Sequence, residues 1–225
     1  MPIWIFRLGA LLLLFMSVPS KAEIITHLPA GPKWVALTFD ACENVTPAFY
    51  DHAIGDYLLA EHIPFTVFVS GRFARHNQAA LQELAAHDEV ELENHSLDHH
   101  NHMENLSDGD IEHQIGDNER LLFDITGRHT RFFRFPAGNY DARSLAIAEK
   151  MGYRVVHWSF ASGDPVKSIS PERLTAWVLA ETRPGGILIF HINGRGWSTA
   201  TALPSIVASL RQRGYRFVTL EEALQ

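Results

Sequence analysis

From Trp34 onward, short apolar runs alternate with amphipathic stretches, and that alternation points to a parallel α/β arrangement. The runs predict strands over residues 34–39, 65–69, 90–93, 132–135, 154–158, 187–191 and 216–219. Between them, helices are predicted over 47–61, 77–87, 108–126, 142–151, 171–181 and 202–213. Ser107 and Ser170 are suited to start two of these helices, and Pro171 stands where the first helical N–H has no partner to lose. Residues 61–64 and 150–153 read as exits from a helix into the next strand. No glycine-rich phosphate loop follows the first strand. A closed or nearly closed (β/α) barrel of about seven strands therefore fits better than an open doubly wound sheet. The chain has 225 residues, 46% of them hydrophobic and 20% charged, which suits one domain over residues 23–225.

The first 22 residues stand apart. Arg7 gives a positive start, residues 8–16 form a short apolar run, and Ser20-Lys21-Ala22 places small residues two apart. This is the layout of a secretory signal peptide cleaved after Ala22. The run is too short for a bilayer span, which needs about 20 apolar residues. An uncleaved anchor is the alternative, and in either case the working domain is exported, periplasmic or secreted. Removing residues 1–22 takes away two cations and no acids, so the formal charge moves from −7 to −9. A chain this acidic is a poor partner for nucleic acid. Cys42 is the only cysteine, so no intrachain disulfide forms.

Unusual polar residues fall where the predicted strands end. Asp40 closes the first, His95 and His99 follow the third, and Arg134 lies on the fourth. Asp164 comes shortly after the fifth and His191 ends the sixth. In parallel barrels the loops after the strand C-termini build the active site, so these groups should meet on one face. Four-residue spacing would put His95 and His99 on one face of a helical turn, within reach of one ion. Imidazole and carboxylate ligands suit zinc or another first-row divalent metal. His100 and His102 are assigned to the surface. Asp40 is either a ligand or the base acting on a water, and His191 is suited to protonate a leaving amine. Asp164 would pair with His191, and Arg134 would hold Asp40 ionised.

These residues resemble the motifs of the polysaccharide deacetylase family, the NodB homology or carbohydrate esterase family 4 domain. Thr38-Phe39-Asp40-Ala41 is similar to its first motif, His95-Ser96-Leu97-Asp98-His99 to its second, and Arg134-Phe135-Pro136-Ala137-Gly138 to its third. The fourth is matched only by Asp164, and the fifth by Ile189-Phe190-His191. Motif order agrees over roughly residues 35–220. The resemblance implies a distorted (β/α) barrel that hydrolyses N-acetyl groups, or sometimes O-acetyl groups, on glycans. It implies Asp40 as catalytic base and His191 as catalytic acid, Arg134 and Asp164 as their partners, and His95 and His99 as metal ligands. The Ala137 N–H would help bind the oxyanion, and Ile189 would line the pocket for the acetyl methyl.

This sequence departs from the pattern in three places. The family's second aspartate, a metal ligand, is Ala41 here; the first aspartate of the fourth motif falls at Ala161, and its tryptophan is Pro165. Asp40, Glu43, Asp164, Cys42 or water remain open as the missing ligand. Two rival readings follow: an inactive glycan- or metal-binding module on the same fold, and a hydrolase of small non-sugar amides. Trp197 and Tyr140 are candidates for stacking on sugars. The stretch Asn193-Gly194-Arg195-Gly196 lacks the ending of a phosphate loop.

Overall fold

The computed structural model describes residues 23–225. The expected signal segment lies outside the described residues. All seven predicted strands are present: β1 (Trp34–Ala41), β2 (Phe65–Val69), β3 (Val90–Asn94), β4 (Phe132–Phe133), β5 (Arg154–Val155), β7 (Gly186–His191) and β8 (Arg216–Phe217). A two-residue strand, β6 (Phe160–Ala161), makes an eighth. Every pairing between these strands is parallel, in the order β5-β4-β3-β2-β1-β7-β6, with β8 beside the start of β1. The barrel is distorted because β5 and β6 are not hydrogen-bonded to each other. Between β5 and β7 runs the segment around residues 25–28, bridging Ile25 to Val156 and His27 to Gly186.

Among the described residues, eight α-helices are laid around the sheet. They are α1 (His52–Ala60), α2 (Gly71–His76), α3 (Gln78–Ala85), α4 (Asp108–Thr126), α5 (Ala142–Lys150), α6 (Pro171–Glu181), α7 (Thr199–Gln212) and α8 (Leu220–Leu224). α4 and α6 have the predicted bounds because their ends are chemically marked. The Ser107 side chain accepts from Asp110 N–H, and Gly127 ends α4 at φ 70°, a left-handed conformation that costs glycine least. Ser170 caps α6 ahead of Pro171. None of the described helices is long and apolar enough to cross a membrane.

Period-two alternation divides β1 between two cores. Val35, Leu37, Phe39 and Ala41 face the helices, in one cluster with Ile54, Leu58, Ile206 and Leu210. Ala36 faces the barrel interior with Phe68, Phe132, Val156 and Ile187. Thr38 is on that inner face too, its hydroxyl donating to Leu188 C=O at 2.7 Å. Asp40 comes next on the inner face, at the C-terminal end of the strand, where the apolar filling gives way to a cavity.

Candidate active site

Asp40 and His191 are cross-strand neighbours at the ends of β1 and β7. Each is held by a buried partner, Arg134 for Asp40 and Asp164 for His191. Arg134, fully buried, gives Nη1–H to Asp40 Oδ1 at 2.7 Å and Nη2–H to Thr38 Oγ1 and His157 C=O. Its Nε–H goes to Val156 C=O, and its guanidinium lies 4.0 Å from the Phe68 ring centre. Burial alone would raise the Asp40 carboxyl, but the fields of His95, Arg134 and His191 bring it down to about 2. Asp40 is therefore a carboxylate at neutral pH, with Oδ2 free of the arginine.

Asp164 fixes the other group. Its Oδ1 accepts from His191 Nδ1–H at 2.9 Å, and Oδ2 accepts from His191 N–H at 2.7 Å and Thr199 Oγ1 at 3.0 Å. With Nδ1 committed, Nε2 is left for chemistry. Gly196 makes this packing possible: a Cβ there would lie 2.5 Å from His191 C=O and 2.9 Å from Asp164 Oδ2. The glycine-rich stretch thus makes room for the histidine–aspartate pair.

His95 and His99 do come together, though no helical turn does it. They sit in a loop after β3 in which Ser96 and His99 are left-handed, at φ 65° and 52°. Non-glycine residues hold that conformation only when the surroundings impose it. Here α4 does so, since Gln114 C=O accepts from Leu97 N–H and Gln114 Oε1 accepts from Asp98 N–H. The two rings end with centres 4.8 Å apart. His95 Nδ1–H donates to Arg134 C=O at 2.8 Å, which turns Nε2 inward, 3.5 Å from Asp40 Oδ2. Burial lowers the His95 imidazole against the pull of Asp40, and takes His99 to about 3 with the field of His95 adding to it. Both rings are neutral at pH 7 and offer lone pairs. His95 Nε2 and His99 Nδ1 are buried without a hydrogen-bond partner, as is His157 Nε2, so His95 and His99 each have a lone pair that a cation could engage. His100 and His102 are exposed, as expected.

All six groups thus border one cavity of about 310 Å³ or pair with a group that does. Ala137, left-handed at φ 54°, and Ile189 line it with Asp40, Cys42, His99, Asp164 and His191. The sequence model of the polysaccharide deacetylase family matches residues 27–156, more than half of the chain. The chain belongs to the polysaccharide deacetylase family. It is 28% identical over 217 residues to a peptidoglycan-N-acetylglucosamine deacetylase of Bacillus cereus, covering 95% of this chain and 99% of that one. It is 30% identical over 218 residues to a chitooligosaccharide deacetylase of Azorhizobium caulinodans, covering 89% and 97%. Its fold matches a CE4 family pseudoenzyme from Bacillus anthracis with a TM-score of 0.80, at 23% identity over 91% of this chain and 69% of that one. At that identity the likeness concerns the fold alone. As a polysaccharide deacetylase family member, the chain is a hydrolase of carbon–nitrogen bonds other than peptide bonds.

In this deacetylase, position 41 cannot serve the cavity, because Ala41 faces the helices from within the outer core. Cys42 lines the cavity, and its Sγ lies with one ring nitrogen of each of His95 and His99 in a group whose atoms are all within 4.8 Å of one another. Burial pushes the Cys42 thiol up to about 12, and the Asp40 charge adds to the shift. Three further residues drew no attention as site residues in the sequence. Trp158 lines the cavity, His157 is buried behind it with Nε2 unpartnered, and Asn193 Nδ2 donates to Cys42 C=O and Sγ. Trp158 and His157 were hidden in an apolar run, and Asn193 among turn-forming glycines.

Proposed function

We propose that this protein is an exported, cation-dependent deacetylase of N-acetylated glycans, with Asp40 as base and His191 as acid. What carries the reading is the pairing of Asp40 with Arg134 and of His191 with Asp164 across one cavity. His95 and His99 would hold a divalent cation, zinc in our reading, and their unpartnered buried nitrogens fit that role. Such a cation supplies Lewis acidity, polarising the acetyl carbonyl and acidifying a water molecule. Asp40 Oδ2 takes the proton of the attacking water, while Arg134 keeps the carboxylate ionised and aimed. The Ala137 N–H donates to the developing oxyanion, and Ile189 packs on the acetyl methyl. His191, as the acid, passes a proton from Nε2 to the departing sugar nitrogen, leaving a free amine and acetate. The two curated relatives, named for peptidoglycan and chitooligosaccharide deacetylation, support an N-acetylglucosamine-containing substrate. Export rests on the charge and apolar pattern of residues 1–22, with cleavage after Ala22.

Acetate release from N-acetylglucosamine oligomers tests the mechanism. Asp40→Asn and His191→Ala should each lower the rate by roughly 10²–10⁴-fold, and wild-type rates in either variant would overturn the assignment. Ala41 favours a second reading, an inactive glycan-binding module. Cation-loaded protein that binds such oligomers and releases no acetate, from these or from O-acetylated glycans, would establish it.

A further inference from the structure

Building on the cation-dependent reading above, we propose that the metal has a third protein ligand, the thiolate of Cys42, in a Cys-His-His centre. Three other carboxylates nearby each have at least one oxygen committed to another partner. Glu43 Oε2 accepts from Ala48 N–H and pairs with His76 Nδ1 at 2.8 Å, on the helix side of the loop. Both oxygens of Asp164 belong to His191 and its neighbours Ser162 and Thr199. Asp40 gives Oδ1 to Arg134 and keeps Oδ2 for the base role. Among the described residues, Cys42, His95 and His99 are the only group of three or more histidine, cysteine or carboxylate side chains that meets within 4.8 Å.

The geometry suits closure on an ion. Tetrahedral zinc, with bonds of about 2.0–2.3 Å, places its ligand atoms roughly 3.3–3.8 Å apart, so atoms that all lie within 4.8 Å of one another need draw together by about 1.5 Å at most. Each histidine brings one ring nitrogen into this group, and each has a buried nitrogen without a hydrogen-bond partner. Asn193, itself buried, donates from Nδ2 to Cys42 Sγ at 3.2 Å and to its carbonyl, fixing the sulfur as hydrogen-bond partners of ligands commonly do. A thiolate carries the same single negative charge as the aspartate the family places one residue earlier. The ligand charge is thus conserved while the donor changes from hard oxygen to soft sulfur. Binding releases the thiol proton to solvent, and the site should favour zinc and cobalt over magnesium or manganese.

Cobalt(II) reports directly on sulfur ligation. The purified protein loaded with one equivalent of cobalt should show a sulfur-to-metal charge-transfer band in the near ultraviolet. Zinc should also shield Cys42 from iodoacetamide, read by mass spectrometry. In Cys42→Ser the band should vanish, and zinc affinity should fall by more than the roughly 10–100-fold that loss of a supporting hydrogen bond costs a metal site. The wild-type spectrum decides the matter even where that variant does not fold. Stoichiometric cobalt without the charge-transfer band would overturn the thiolate ligand and leave the cation-dependent reading standing. Failure of the wild-type protein to bind either ion would overturn both.

Discussion

Arg134 is where the electrostatics of the cavity converge, because this one fully buried residue orients Asp40 through its guanidinium and His95 through its backbone carbonyl. Replacing it with methionine keeps much of the volume and leaves the Asp40 charge buried without its partner. That should cost about 3–5 kcal/mol in urea unfolding at pH 7. Adding Asp40→Asn should restore part of the loss, so the double variant will be more stable than the two single effects predict. The pH dependence has a fixed sign. With the Asp40 carboxyl lowered from 3.8 to about 2, its stabilisation, on the order of 2 kcal/mol, is complete above pH 4 and disappears as pH falls through 2. The Arg134→Met variant should show a shallower acid-side slope, since the fields of His95 and His191 on Asp40 remain. Asn193→Ala should weaken zinc binding by roughly 10–100-fold, read by competition with a chromophoric chelator, with little change in melting temperature. Asp40, His95, His99, Arg134, Asp164 and His191 were legible in the sequence because ionisable groups at the ends of apolar runs have no packing reason to be there. Asn193 was not: asparagine beside glycine is ordinary turn chemistry, and its partner Cys42 lies 151 residues away in the chain.

At the scale of elements, what the sequence revealed tracks how each element is stabilised. Capped amphipathic helices such as α4 and α6 were readable to the residue, since local hydrogen bonds fix their ends. The six-residue α2, the five-residue α8 and β6 were not, since elements this short carry no periodicity and exist through tertiary contacts. The histidine loop was misread for a related reason: α4 sets its backbone, and the four-residue spacing does not. β3 is subtler. Its Val-Glu-Leu-Glu alternation has the look of a half-exposed strand, yet Glu91 and Glu93 are buried. Glu91 accepts from Thr66 Oγ1 and from the Leu220 and Glu221 N–H groups at the start of α8, and Glu93 from the Arg131 and Phe132 N–H groups. Burial outweighs these bonds and raises both carboxyls, Glu91 to about 7. A carboxyl raised on folding holds its proton in the native state when the unfolded chain has lost it. Its stabilisation is therefore full below pH 4.5 and is lost as pH rises through 7. Urea midpoints of the wild type should decline over that interval, and those of Glu91→Gln should decline less.

The whole molecule is a barrel with one seam, and the way the seam is covered ties the fold to the point where the exported chain would begin. β5 and β6 are consecutive in sequence yet unpaired, and β7 lies beyond β6. Residues 25–28 run through this region: Ile25 N–H donates to Val155 C=O, His157 N–H to Ile25 C=O, and Leu28 N–H to Gly185 C=O. Ile25 and Leu28 also pack into the barrel interior with Phe132, Val156 and Ile187. His157 and Arg134 meet at the end of this strap nearest the cavity, since Arg134 donates to both Val156 and His157 carbonyls. The strap therefore braces the strand end whose carbonyls hold Arg134, the partner of Asp40. If the leader is removed after Ala22, the new terminus is Glu23, whose N–H already donates to Glu149 Oε1, so processing there leaves the strap whole. Mass spectrometry of the exported protein should find Glu23 first. A chain starting at Glu23 should melt as the processed protein does. One starting at Pro29 loses three backbone hydrogen bonds and two apolar anchors, each worth about 1.5–3 kcal/mol when fully buried, and should unfold at markedly lower urea. Equal urea midpoints for the two chains would mean that the barrel closes without its strap, and that the start of the mature chain is set by export alone.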